Sequence, residues 1–398
     1  MQTLEIKKNI HWVGALNATL RVFDVVFQTR YGTTYNSYLI QADKPTLIDS
    51  VHAKFTEEHI AKLKSLIDLK DIYYIVVNHT EMDHSGALGD LLREVPNAQI
   101  LSTKTAAFFL KNILHKDFNG KIVEDGEIVS LGNKQLKFVH APFWHWPDTM
   151  FSYLEEDRVL FPCDGFATHF CDERLFDDRV DDFTEDFQHY YEHIMGPYRK
   201  KILEAIEKIR NLDIQLIAPS HGPILRTNPR KYIKAYEDWS TSRKDPNKKQ
   251  IVIFYASMYG NTKKMAEAVA KGASTINTEV KVFDAAQVSP EFIRCEIESA
   301  DGILFGSATL NGDAIRPMWD IIDVMFSVNA KGKKCATFGT YGWSGEATKQ
   351  MEDRLNGLKL KVVQPPIKVV LTPTEDDLKR CSIFGYDFVK TLTDNPSA

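Results

Sequence analysis

The chain has 398 residues, 43% hydrophobic and 26% charged, with a formal net charge of -5. That length suits two domains, and the composition is that of a globular chain able to bury sizeable cores. The acidic balance offers no general basic field for nucleic acid, and no apolar run reaches the roughly 20 residues needed to span a bilayer.

MQTLEIKKNI has no apolar core behind its charges, so nothing there reads as a targeting segment, and a cytoplasmic location is expected. In the first part, strand-like runs are NSYLIQ, TLIDS, IYYIVVN, LKFVHAP, RVLFPCD and IQLIAPS. Between them lie amphipathic stretches, EEHIAKLKSLI, TKTAAFFLKNIL and YYEHIMGPYRKKILEAIEKI, giving a layered α/β domain rich in strands. The residues 238–250, DWSTSRKDPNKKQ, are polar, charged and broken by Pro246, as a linker would be. Beyond it IVIFYAS, VKVFDAA, GILFGS, KKCATFGT and VVLT read as strands. Helical patterns alternate with them from Thr262 and near 290–299, 316–327, 344–356 and 375–392. Such alternation predicts a doubly wound parallel sheet with its ligand site beyond the carboxyl ends of the strands.

Cys163, Cys171, Cys295, Cys335 and Cys381 are scattered, odd in number and without a C-x-x-C pair. That excludes a disulfide framework or a cysteine-held cluster, and Cys163 reads as a buried free thiol.

Chemistry gathers where the first part's strands end. His79 follows IYYIVVN in the stretch NHTEMDHSG, Asp164 ends RVLFPCD, and His221 follows IQLIAPS. His145, in His-Trp-Pro-Asp, comes shortly after LKFVHAP. One polar residue after a buried strand is ordinarily just the start of a loop; four such ends carrying imidazoles and carboxylates can converge at one sheet edge. If the loop stays extended, His79, Glu81 and Asp83 point the same way and line one cavity. Such donors suit iron, manganese or zinc, and a pair of metals needs a bridging acid, for which Asp164 is the best candidate. His140 and His169 are weaker candidates. His189 and His193 stand four apart but lack the Glu of HExxH, so a half-exposed helix face is the expectation. Phe143, Trp144 and Trp146 flank His145 as packing that also keeps the site apolar.

The second part opens with Ser257-Met258-Tyr259-Gly260-Asn261-Thr262 between a strand and a helix, a seat for a phosphate. It is neither a Walker loop nor GxGxxG. Two further loops, SATLNGD (307–313) and GTYGWSGE (339–346), follow other strands of the same sheet, and three such loops suit a mononucleotide with a flat ring.

The first motif resembles the metallo-β-lactamase superfamily, whose zinc hydrolases carry His-x-His-x-Asp-His, except that Glu81 replaces the second histidine. That departure resembles the flavodiiron proteins, and the second part is similar to flavodoxin. The likeness spans essentially the whole chain. It implies a metallo-β-lactamase-like αββα sandwich over 1–248 and a flavodoxin-like doubly wound parallel sheet over 249–398. By the same resemblance, His79, Glu81 and His145 hold one iron and Asp83 and His221 the other. Asp164 bridges the pair, as would an oxo or hydroxo group, and His84 stands behind the ligands. Glu81, an anionic donor, favours a metal that changes oxidation state. FMN would place its phosphate on Ser257, Asn261 and Thr262, with Met258, Tyr259 and Gly260 in the same loop. Thr309 and Asn311 would line the ring edge beside Ala308 and Leu310. Tyr341, Gly342 and Trp343 would pack on the ring, with Thr340, Ser344 and Gly345 completing that loop.

The implied reaction reduces O2 to water with four electrons, or two NO to N2O and water with two. Electrons would come from rubredoxin or a similar small carrier, and the family usually forms a head-to-tail homodimer, alone or paired. Two other readings differ in class: a dizinc hydrolase fused to a flavodoxin module, against which Glu81 counts, and a flavin carrier with a decayed metal domain, against which the complete donor set counts.

Overall fold

The computed structural model describes residues 3–23, 27–241, 248–274, 277–288, 290–328 and 330–393. Contacts divide the chain into two compact units, Met1–Thr241 and Ser242–Ala398. The expected linker falls partly outside the described residues. Its first residues belong to the helix Pro229–Ser240, and its last open the strand Lys249–Ala256.

The first unit holds two facing sheets. The seven-stranded one runs Leu4–Lys7, Ile10–Trp12, Tyr38–Ile40, Thr46–Ile48, Tyr74–Val77, Gln99–Ser102, Gly120–Ile122. The five-stranded one runs Ile128–Ser130, Gln135–His140, Met150–Leu154, Val159–Phe161, Leu216–Ile217. Alternate side chains leave a strand on opposite faces, and the cores follow that rule. Tyr38, Ile40, Tyr74 and Val76 share one buried cluster with Phe138, Leu154 and Phe161. Leu39, Ile75 and Val77 point the other way, onto Leu63, Leu88, Leu91 and Leu110. Those leucines come from the helices Thr56–Lys64, Leu88–Glu94 and Lys104–Leu114. On the far face of the second sheet, Val139, Phe151 and Leu160 pack on Phe187, Ile202, Ile206 and Tyr236 of Thr184–Tyr190, Arg199–Ile209 and Pro229–Ser240. The result is an αββα sandwich.

Two elements differ from the sequence reading. Met150–Leu154 is a strand buried on both faces, and Ser152 breaks its apolar pattern. The Ser152 hydroxyl donates to Asn78 Oδ1 at 2.7 Å, so this polar core residue is satisfied. The stretch expected as one amphipathic helix over 190–209 is instead a π-turn at Tyr191–Met195, a 3-10 turn at Gly196–Tyr198 and a helix only from Arg199. Pro197 has no N–H to donate to the preceding turn, which accounts for the break.

The second unit is one parallel sheet ordered Thr278–Asp284, Lys249–Ala256, Gly302–Leu310, Lys334–Tyr341. Lys361–Val362 and Ile367–Val370 both pair with the last of these. Strand order reverses beside Lys249–Ala256, which puts the ligand crevice between its carboxyl end and that of Gly302–Leu310. Asn261–Ala273 and Glu375–Thr393 cover one face with Met265, Val269, Cys381 and Phe388. Pro290–Ser299, Arg316–Val324 and Glu346–Gly357 cover the other with Ile297, Ile322 and Met351. The first pair of helices touches backbone to backbone: a Cβ on Gly272 would lie 1.7 Å from Ser382 O, and one on Gly385 2.0 Å from Val269 O. Among the described residues no helix is long and apolar enough to cross a membrane.

Candidate functional site

The six expected donors come together, in two groups. His79, Glu81, His145 and Asp164 present ligand atoms within 4.8 Å of one another, and so do Asp83, His84 and His221. Three donors sit just past strand ends, His79 after Tyr74–Val77, Asp164 after Val159–Phe161 and His221 after Leu216–Ile217, while His145 lies in the loop between Gln135–His140 and Met150–Leu154. The loop after His79 does not stay extended, as the sequence reading assumed. Glu81 caps a short helix, Met82–Ser85, which turns Asp83 away from Glu81 and into the second group.

Asp164 joins the groups. Its Oδ2 lies 3.0 Å from His145 Nε2 and 3.6 Å from His79 Nε2. Its Oδ1 lies 3.1 Å from His84 Nε2 and 3.4 Å from His221 Nε2. Glu81 Oε2 faces His79 and His145 at 3.2 and 3.3 Å. Both Asp83 oxygens are buried without a hydrogen-bond partner, facing His84 and His221 ring nitrogens at 3.3 and 3.1 Å. Buried carboxylate oxygens left in that state are costly, and clusters of hard oxygen and imidazole donors around a shared acid fit two metal ions. His84, expected behind the ligands, has its ring at ligating distance, with both nitrogens buried and unsatisfied. Cys163 also lies near His84 and Asp164, and burial pushes its thiol well above the ordinary value.

A second layer orients the rings. His79 Nδ1 lies 3.1 Å from Asp148 Oδ1, whose other oxygen accepts from Thr80 N and Oγ1 at 2.8 and 2.7 Å. His221 Nδ1 donates to Thr34 O at 2.5 Å, and Ser220 Oγ donates to Asp164 Oδ1 at 2.6 Å. Asn78 is fixed by Asp49, which accepts its N–H and amide at 2.7 and 3.0 Å. Burial pushes Asp49 up to about 6, although His84 and these bonds pull it back. Burial also raises Glu81 and Asp164, yet the surrounding imidazoles hold both well below the usual carboxylate range. Asp148 was visible in His-Trp-Pro-Asp, whereas Thr34 acts through its backbone carbonyl and leaves no signal in the sequence.

Beside the second group lies a cavity of about 350 Å³, lined by Leu20, Phe23, Tyr35 and Trp146 on its apolar side and by His52, Glu81 and Asp83 on its polar side. Trp146 thus faces the site, its ring 5.1 Å from that of His79. Trp144 is core, and Phe143 stacks on Tyr198. His189 and His193 pair with each other, rings 3.9 Å apart, and His193 is buried rather than half-exposed.

In the second unit, Gly260 adopts φ +80° and caps Asn261–Ala273 without a side-chain bond, leaving N–H groups of the first helical turn for an anion. Thr262 is buried, its hydroxyl 2.9 Å from that of Thr340 on the third loop. Asn311 (φ +52°) and Gly312 (φ +77°) make a two-residue turn joining Gly302–Leu310 to the short antiparallel strand Asp313–Ala314. Tyr259 is 87% and Trp343 81% exposed, so neither is a core residue. Ser257, Met258, Thr309, Leu310 and Tyr341 to Gly345 lie in or beside loops at the same sheet edge, since Ala256 pairs with Ser307 and Ala308 with Thr340. An anion seat with flat exposed rings beside it fits a flavin mononucleotide.

The ODP family beta lactamase model matches residues 33–222 and the flavodoxin model residues 253–385. The flavo-diiron protein FprA2 of Clostridium acetobutylicum is 39% identical, over 98% of this chain and 100% of its own. A nitric oxide reductase of Moorella thermoacetica is 38% identical over 99% of this chain and 100% of its own. Among solved structures, the rubredoxin oxygen:oxidoreductase of Desulfovibrio gigas superposes with a TM-score of 0.72 at 30% identity, over 98% of this chain and 99% of that one. With both units matched by family models and relatives of 38 and 39% identity covering nearly the whole chain, the chain belongs to the flavodiiron protein family.

Proposed function

We propose that this oxidoreductase reduces O2 to water, NO to N2O, or both, with electrons delivered by rubredoxin or a similar small carrier. The carrying observation is Asp164, whose two oxygens face two separate donor groups. One of those groups contains Glu81 where a zinc hydrolase would place an imidazole. The names of the Moorella thermoacetica and Desulfovibrio gigas relatives support the two substrates.

His79, Glu81 and His145 would hold one iron, Asp83, His84 and His221 the other, and Asp164 both. Irons held there would supply one-electron chemistry, and an FMN held by the loops 257–262, 309–311 and 340–345 would supply the electrons. The chain's own part is geometric. Asp148 and Thr34 fix which nitrogen of His79 and His221 faces the metals. Tyr35, Phe23 and Trp146 give the cavity apolar walls that suit a small neutral gas. Exposed Tyr259 and Trp343 fit a surface covered by the donor or by the other copy in a head-to-tail homodimer. The free thiols Cys163, Cys171, Cys335 and Cys381 fit a reducing cytoplasm.

Anaerobic assays of NO and O2 consumption, with chemically reduced rubredoxin and protein of measured iron and FMN content, test this. Consumption of either gas in proportion to iron content is expected. Protein rich in zinc, poor in iron and active only on esters would overturn it.

A further inference from the structure

The cavity beside the second donor group contains one imidazole outside both groups, His52. It precedes the short helix Ala53–Phe55, and its Nδ1 accepts the backbone N–H of Lys54 at 3.1 Å. A ring nitrogen that accepts a hydrogen bond carries no hydrogen, so the neutral ring keeps its hydrogen on Nε2. Nε2 has no hydrogen-bond partner among the described residues, although the ring is half-buried. The ring packs on Tyr35, centroids 5.5 Å apart, and Tyr35 meets His221 edge-on at 5.8 Å. The titratable groups sharing the cavity are Tyr35, Glu81 and Asp83. Glu81 and Asp83 are proposed metal ligands, which leaves His52 as the lining imidazole free to contact a small molecule in the cavity.

We infer that His52 is a binding residue for the diatomic gas, a tautomer-locked Nε2–H that donates a hydrogen bond to the oxygen end of a molecule held in the cavity. The assignment rests on the proposed gas-reducing function. It gives the backbone cap at Lys54 a second purpose, since the bond that starts a three-residue helix also orients a donor toward substrate.

Two variants test it in protein loaded with iron and FMN, His52→Leu, which removes both bonds, and His52→Asn, which keeps the cap but is too short to reach. With NO as the probe, each is expected to raise the apparent KM about fivefold, the loss of one neutral hydrogen bond, while kcat changes less than about twofold. The infrared N–O stretch of added NO is expected to shift between H2O and D2O in the unaltered protein and to lose that shift in both variants. A deuterium-sensitive band that persists in both variants, or an unchanged KM in both, would overturn the inference. If the unaltered protein consumes neither gas, the functional reading fails instead, and the deuterium shift still reports on His52.

Discussion

Asp148 holds His79 from behind: Oδ1 lies 3.1 Å from Nδ1, while Nε2 on the other side of the ring faces Glu81 at 3.2 Å. The carboxylate, itself pinned by Thr80, fixes the tautomer and raises the basicity of the nitrogen left for metal. Asp148→Asn is therefore expected to weaken iron binding about 10- to 100-fold with no change in flavin. Competition with a calibrated chelator measures it.

Glu81→Ala should lose iron and gas turnover yet keep bound FMN, because the flavin loops belong to the other unit. Metal analysis beside the flavin absorbance separates the two effects. Gas reduction equal to that of the unaltered protein would remove Glu81 from the ligand set.

Metal-free and metal-loaded protein should respond to pH in opposite directions. Burial lowers His79 and His145, but Asp148 and Glu81 at the first ring, and Asp164 and Glu81 at the second, lift each to about 10. Burial likewise lowers His84, and the charges of Asp83 and Asp164 lift it to about 9. Imidazoles raised on folding stabilise the metal-free fold fully below the unfolded value of about 6.5, and that contribution is lost as pH climbs through 9 to 10. Glu81 and Asp164 are depressed, so their contribution is lost as pH falls below about 4. Metal must displace the ring protons, so iron affinity rises with pH over the same upper range. Thermal melting of chelator-treated protein from pH 6 to pH 10 should show Tm falling; a rising Tm would contradict the charge assignment.

Gly272→Ala is expected to destabilise the flavin unit by about 1–3 kcal/mol, because the new methyl meets the backbone oxygen of Ser382 rather than a side chain that can turn aside. Melting followed by flavin release would register it, with metal content unaffected.

His79, Asp164 and His221 were legible because each follows or ends a strand-like apolar run, and strand ends at one edge can converge. The division into groups came from the family resemblance alone, since it depends on the short helix Met82–Ser85 that turns Asp83 from its neighbour Glu81. The resemblance set His84 behind the ligands; the same turn brings its ring nitrogens beside Asp83 and His221. Met150–Leu154 escaped because Ser152 interrupts its apolar run, and the satisfying partner, Asn78, is remote in sequence. In the second unit, apolar runs between helical patterns marked the main strands of a parallel sheet, whereas the Asn311–Gly312 turn was read only as part of a loop.

The donors are divided between the two sheets of the sandwich, and no nascent fragment that stops short of His221 has them all. The first group is complete only after Asp164 is made, the second only after His221. The strand Leu216–Ile217, which closes the second sheet against Val159–Phe161, emerges just before that histidine. Iron capture thus waits on the closure of both sheets of the first unit, and a chain whose sheets have mispaired announces itself by arriving without its metals.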